Sequence, residues 1–437
     1  MSNSLNYIRE RFEELQTSGK DAVLDKIRQL AFADFNQWGI PTTRHEEWKY
    51  TRISGLFNKE YRLPVQAADN KVTAADIEPV QMPGHEDANV IYFINGLYSP
   101  ALSRVISSQL VVLPLEVAAA GVYRDVVTSH LGHSGLYQKD GIHALNTAFV
   151  HGAAFIHAKK GQAIEHPVYI YHVTDARSNQ PLSLPRSLVY VSEQASLQLV
   201  ETFITLGHQE SFTNHVIEMV VEKEALLEYY KIQHDHPGAS QVSTTHIRQI
   251  GKSYTHSVVI SLRGGILRNN LNTVMDADHC ESHLYGLYCI EGDAHVDNHT
   301  VVDNAKPHCF SNELYKGVVG GRATAVFNGK IFVRKDAQKT NAYQSNKNIL
   351  ISDEASVNSK PQLEIFADDV KCSHGCTVGS LDEEALFYLR SRGLSKENAR
   401  SLLLRAFALD ILENIKLPFI RGYVDQLISQ RLEIDEV

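Results

Sequence analysis

The apolar positions of this chain change period twice. They step by three and four from Leu5 through Ile8, Phe12 and Leu15, again through Val23, Ile27 and Leu30, and less strictly from Asp34 to Trp38. That spacing predicts two amphipathic helices, and Gly39 and Pro41 supply the stop. Between about residues 140 and 380 helical spacing gives way to short alternations, such as Val168, Ile170, His172 and Leu197, Leu199, Glu201. Alternation of this kind places successive side chains on opposite faces of strands. After Gly379 the helical period returns. Ser380 or Asp382 caps a segment carrying Leu386 and Leu389 that ends at Gly393, and Ser395 caps one with Leu402, Ala406, Leu409 and Leu412 along one face. A last helix covers Ile420 to Leu432, and the acidic end from Glu433 to Val437 reads as a solvated tail. The pattern divides the chain into an amino-terminal helical and mixed segment (1–140), a strand-rich core (141–380) and a carboxy-terminal helical segment (381–437).

A weak repeat runs through the core. Glu193–Leu197, Glu222–Leu226, Gly292–Val296, Gly321–Ala325 and Asp353–Val357 each hold an alanine, at 195, 225, 294, 323 and 355. The steps are 30, 69, 29 and 32 residues, as though one copy near Gly251-Lys252-Ser253 had lost its alanine. A unit of roughly 30 residues with only short strands cannot bury both its faces, so stacking of units is the economical solution. The expected fold is mainly β, with a right-handed parallel β-helix core flanked by helical segments at both ends. The rival, a β-sandwich, produces alternation but gives no reason for a fixed period.

Composition narrows the function. In 437 residues, 42 Lys and Arg face 51 Asp and Glu, and the formal charge of −9 disfavours a nucleic-acid partner. The five cysteines are few and odd in number, which fits free thiols in a reducing compartment. Met1 to Gln16 lacks the apolar run of a secretory signal. The apolar stretch Leu110 to Val122 is broken by Pro114 and Glu116, short of the ~18 residues a membrane span needs. The expectation is a soluble cytoplasmic protein with no membrane contact.

The densest chemical constellation is Asp368-Asp369-Val370-Lys371-Cys372-Ser373-His374-Gly375-Cys376. In an extended segment Cys372, His374 and Cys376 share one face and Lys371 lies on the other. Two thiolates and an imidazole suit an iron-sulfur cluster, zinc or copper, but a closed site needs more ligands than these three, and buried, inert thiols are the competing reading. Cys280, Cys289 and Cys309 stand alone among strand residues and read as core packing. His295, Asp297 and His299, with Asp293, read as ladder polar contacts ahead of a metal face. His234-Asp235-His236 reads as a turn, and Trp48, within Arg44–Thr51, as a packing anchor. Gly251-Lys252-Ser253 is no P-loop, because His246 stands where the first glycine belongs. The chain also lacks a Gly-x-Gly-x-x-Gly fingerprint and a Gly-x-Ser-x-Gly elbow. A carbohydrate-active β-helix enzyme would use paired carboxylates and is usually secreted, which the missing signal opposes.

Several of these segments carry a likeness to a known family. Phe366–Gly375, Thr377–Gly379 and Leu386–Gly393 resemble the SufD branch of the SufB/SufD family of the Suf iron-sulfur cluster assembly system. Further likeness lies in Leu284–Leu287, His299-Thr300, Ser311–Gly317, Phe327–Ile331, Lys360–Ile365 and Arg44–Thr51. The resemblance implies a β-helix between helical ends and a non-catalytic scaffold role in cluster formation and iron acquisition. It implies a heterodimer with the paralogue SufB near the carboxy-terminal end of the β-helix, and docking of the ATPase SufC on the carboxy-terminal helices, which would explain the missing nucleotide site. It assigns His374 and Cys372 to a transient cluster or iron shared with SufB, with reduced flavin as a further cofactor of the assembled complex. SufB differs here, with an Arg-Val-Glu-His-Glu type of sequence. A SufB-like paralogue or a homodimeric scaffold is the alternative. Cys376 departs from the family's usual alanine and is either a further metal ligand or a tolerated small residue.

Overall fold

The computed structural model describes residues 2–18, 22–64 and 71–432, so the tail from Glu433 lies outside the described residues. Helices Ser2–Ser18 and Ala22–Trp38 form where the period predicts them. Gly39 closes the second with φ +61°, and its N–H donates to the Phe35 carbonyl at 2.9 Å.

The middle of the chain is a parallel β-solenoid of about eight turns. Two ten-stranded sheets lie face to face, and the chain crosses from one to the other as it advances. One sheet runs from Asn89–Ile94 through Val168–Ala176, Ser196–Gly207, Leu226–His234, Tyr254–Arg263, Glu281–Ile290, Phe310–Val319 and Thr340–Leu350 to Val370–Gly379. The other includes Arg186–Val191, Ser211–Val221, Ala239–Gln249, Ile266–Met275, His295–Asn304, Thr324–Val333 and Ser356–Ile365. Neighbours along the solenoid pair in parallel, with antiparallel partners only at its start, where Leu97–Tyr98 joins Asn89–Ile94 and Leu110–Pro114 joins Ala154–Ala158. This parallel ladder excludes the antiparallel sandwich. Residues before 140 thus contribute strands to both sheets, and helix Gly141–Ala148 follows that point. The apolar stretch from Leu110 splits into strand Leu110–Pro114 and helix Leu115–Ala120. No helix among the described residues is long and apolar enough to cross a membrane.

The alanine repeat has a two-sided explanation. Ala195 and Ala225 lie at corners that enter the first sheet, whereas Ala294, Ala323 and Ala355 lie at corners that enter the second. The 69-residue step is therefore a change of edge as well as a missing copy. At the first edge the series continues through Ser253, Cys280 and Cys309, each buried and each immediately before a strand. Gln194, Glu224, His279 and His308, which precede four of these small residues, all have positive φ between 57° and 59°. The corner demands a left-handed residue followed by a small buried one. Cys280 and Cys309 stand where alanine stands elsewhere, donating their thiols to the carbonyls of Gly251 and Ala277 at 3.4 Å.

The helical ends cover the outer sheet faces. Leu404, Ala408, Ile411, Ile420 and Val424 pack on Val200, Tyr230, Val258, Leu287 and Val318 of the first sheet, each buried aliphatic side chain contributing roughly 1.5–3 kcal/mol. Asp382 caps helix Glu383–Ser391 by accepting from the Glu384 and Ala385 amides, and Ser395 caps Lys396–Leu412 through Asn398. Pro418–Arg431 is the last helix. At the other end Trp48 is buried, with the Arg268 guanidinium 3.8 Å from its ring centroid, and its indole N–H donates to Asp140 at 3.2 Å. Thr51 donates to Asp297, which Arg268 also meets at 2.7 Å. His295 contacts Thr51 at 2.8 Å, and His299 contacts Asp297 at 3.0 Å. These histidines form the polar ladder expected of them, and Asp293 makes an exposed pair with Arg322.

Candidate functional site at the open end of the solenoid

Strand Val370–Gly379 is the last of its sheet, paired on one side to Thr340–Leu350 and, among the described residues, to none on the other. The register sets Cys372 beside Ala342, His374 beside Gln344 and Cys376 beside Asn346. Ala342, Gln344 and Asn346 all face inward and are buried, because the final coil covers them. Their neighbours face the same way but have no further coil above. Cys372 is half-buried against the apolar strip of the interior, while His374 and Cys376 are exposed. Lys371, on the opposite face, is also exposed.

Beneath the three side chains lies a polar interior that the sequence pattern did not single out. Gln344 donates to the buried Glu313 carboxylate at 2.7 Å, and burial pushes that carboxyl up to about 7. Asn346 donates to the Tyr288 hydroxyl at 2.9 Å, and its own oxygen accepts from Ser359 at 3.0 Å. The Cys376 sulfur lies 3.9 Å from that same oxygen. Burial raises the Cys372 thiol pKa. The signal that could have found Glu313 and Gln344 is their shared place in successive strands, one repeat apart, on the face that alternation assigns to the interior.

Near the three residues, exposed apolar side chains stand among exposed polar ones, and the last strands of both sheets have no further partner among the described residues. Ser356–Ile365 ends the second sheet as Val370–Gly379 ends the first, and Ile365, Phe366 and Val378 are 40–58% exposed. Two free strand edges with exposed apolar side chains form a template for association. The carboxy-terminal helices also expose Phe387, Tyr388, Leu402, Leu409 and Phe419. Cys280, Cys289 and Cys309 are buried, as the packing reading expects. A cleft of about 790 Å³ opens elsewhere, beside Trp48. Of its cations, Arg268, Lys330 and Arg334 are engaged by Asp297, Glu47 and Asp303, so those three offer no uncompensated charge to a ligand.

Fold and site together define a parallel β-solenoid protein whose last coil carries exposed sulfur and imidazole side chains. Comparison with known proteins is specific about which. Residues 172–407 match the family model described as "SUF system FeS cluster assembly, SufBD core domain", and residues 2–170 match the "SufBD protein N-terminal region". An iron-sulfur cluster assembly SufBD family protein of Synechocystis is 30% identical, covering 96% of this chain and 94% of that protein. The iron-sulfur cluster assembly protein SufD of Escherichia coli is 28% identical over 99% of this chain and 97% of its own length. The chain belongs to the SufBD family of iron-sulfur cluster assembly proteins.

Proposed function

We propose that this chain is a non-catalytic scaffold subunit on which an iron-sulfur cluster is assembled, with His374 and Cys372, joined by Cys376, contributing ligands for iron or the nascent cluster. The observation that carries the reading is the outward presentation of an inward face. The last coil leaves His374 and Cys376 exposed and Cys372 half-buried on one of two unpaired strand edges, so a second protein that docks there would close the solenoid and complete the ligand set. SufB is the partner proposed for that edge. The exposed aromatic and leucine side chains of the terminal helices suit SufC, which would bring the ATPase activity that no motif in this chain supplies. Thiolate and imidazole donors bind iron, and imidazole holds it less firmly than thiolate, which suits a cluster that must leave for an acceptor. Reduced flavin would belong to the assembled complex, in a reducing cytoplasmic setting.

The test is co-purification with SufB and SufC, followed by iron, sulfide and flavin analysis after reconstitution. The parent complex is expected to hold cluster iron and sulfide. His374→Ala is expected to assemble the complex but lose most of the cluster, and equal loading in that variant refutes the ligand assignment.

A further inference from the structure

Near the other end of the solenoid, three strands bring His172, Glu201 and His215 together in the interior. They belong to Val168–Ala176, Ser196–Gly207 and Ser211–Val221, the first two paired in one sheet and the third in the facing one. All three are buried, and one ligating atom from each lies within 4.8 Å of the other two.

The two carboxylate oxygens of Glu201 are served differently. Oε2 accepts from the Tyr229 hydroxyl at 2.5 Å and lies 4.0 Å from the Lys231 ammonium. Lys231 itself is committed to the hydroxyls of Ser243 and Thr245, at 2.9 and 3.0 Å. Oε1 faces only imidazole: His172 Nε2 stands at 2.7 Å and His215 Nε2 at 2.8 Å. The His215 nitrogen is not aligned for a hydrogen bond to that oxygen or to any other atom, although it is fully buried. The Oε1 side of a buried carboxylate therefore meets two nitrogen donors and no cation.

The rings are held in place. His172 is stacked on Phe203 with centroids 4.6 Å apart and lies 5.0 Å from Phe93, while His215 packs edge-on against both His172 and Phe203. Rings fixed by packing are pre-organised donors. Two imidazole nitrogens and one carboxylate oxygen converging on a point suit a divalent first-row transition cation. Metal–donor bonds of about 2.0–2.1 Å in a tetrahedral site set the donors about 3.3 Å apart, so the two contacts to Oε1 would open by about 0.5 Å.

We propose that His172, Glu201 and His215 form a buried three-ligand site for one divalent first-row transition cation, of the zinc or ferrous class, whose fourth position a water would fill and which ties two neighbouring strands of one sheet to a strand of the facing sheet. The site is enclosed, so the ion enters during folding and exchanges slowly afterwards. It shares no residue with the His374 end, and its failure would leave the scaffold reading untouched.

The experiment uses the full chain with its affinity tag removed, in a His374→Ala, Cys372→Ser, Cys376→Ser background, so that bound metal reports this site alone. The protein is produced in media supplemented separately with Zn2+, Fe2+ and Co2+, treated with chelator and analysed by elemental mass spectrometry, with the Co2+ form read by visible absorption. One metal per chain that survives chelator, and cobalt bands of a nitrogen and oxygen ligand field, are expected. Glu201→Gln and His215→Gln are expected to lose both while keeping the parent circular dichroism. If either glutamine variant fails to fold, His172→Gln replaces it, and metal is expected to raise the Tm of the parent background alone. Chelator-resistant metal no higher in the parent background than in these variants would overturn the assignment.

Discussion

His374 stands in register with Gln344, the residue whose amide donates to the buried Glu313 carboxylate. The exposed imidazole of the last coil is thus the outermost member of an inward-facing column whose third member is a titratable acid. Glu313, Gln344 and His374 occupy equivalent places in three successive strands of one sheet, about 4.8 Å apart.

Glu313 gives this column a pH signature. Its carboxyl is pushed from an ordinary 4.5 up to about 7 by burial. The folded chain therefore holds this proton to higher pH than the unfolded chain does, and the contribution to stability is complete below about pH 4.5. It is lost as pH rises toward 7 and stays lost above, a difference of about 3 kcal/mol. Glu313→Gln is expected to remove this slope, so the stability gap between parent and variant, followed by urea unfolding from pH 5 to 8, should shift steadily in the variant's favour. A gap that does not change with pH contradicts the assignment.

The five thiols should separate by reactivity. Cys376 is exposed, Cys372 half-buried with a raised pKa, and Cys289 fully buried with its thiol pushed up to about 12. Native alkylation followed by mass spectrometry is expected to mark Cys376 first, Cys372 more slowly and Cys289 only after unfolding, because the thiolate is the reacting species. Rapid labelling of Cys289 in the native chain would mean that the carboxy-terminal helices lift from the sheet they cover.

Gly286 tests the packing of the interior. A Cβ at this position would lie 2.1 Å from the Tyr315 ring, which occupies the next coil in register. Gly286→Ala is expected to cost about 1–3 kcal/mol through overpacking. Tyr315→Leu should relieve part of that cost, and a thermal-melt double-mutant cycle with strictly additive effects would show that the two side chains do not compete.

Trp48 should anchor the amino-terminal segment to the solenoid. Its ring lies under Arg268 and its N–H meets Asp140. Trp48→Ala is expected to cost about 3–5 kcal/mol and to speed proteolysis within the first 64 residues. The solenoid strands should keep their protease resistance, because their ladder does not run through this side chain.

Periodicity alone marked both helical ends and the strand-rich middle, because each period is a local property of consecutive side chains. The cap residues Asp382 and Ser395 and the stop at Gly39 were legible for the same reason: each acts on backbone groups within a few residues. The repeat was only half legible. Ala195 and Ala294 look alike in sequence yet turn into opposite sheets, and Cys280 and Cys309 carry on the alanine series under another name. A corner asks for smallness and burial rather than for one residue type, so an identity repeat undercounts it.

By itself the sequence determined that Cys372, His374 and Cys376 share one face of a strand, since alternation needs only consecutive residues. Their exposure depended on which coil comes last: Gln344 and His374 lie in one inward column, but only Gln344 has a coil above it. The facing of Glu201 by His172 and His215 likewise arose only when strands from two sheets closed around one interior. Covering and closure are relations between coils, decided by stacking energy across many residues, and no local stretch of sequence carries them.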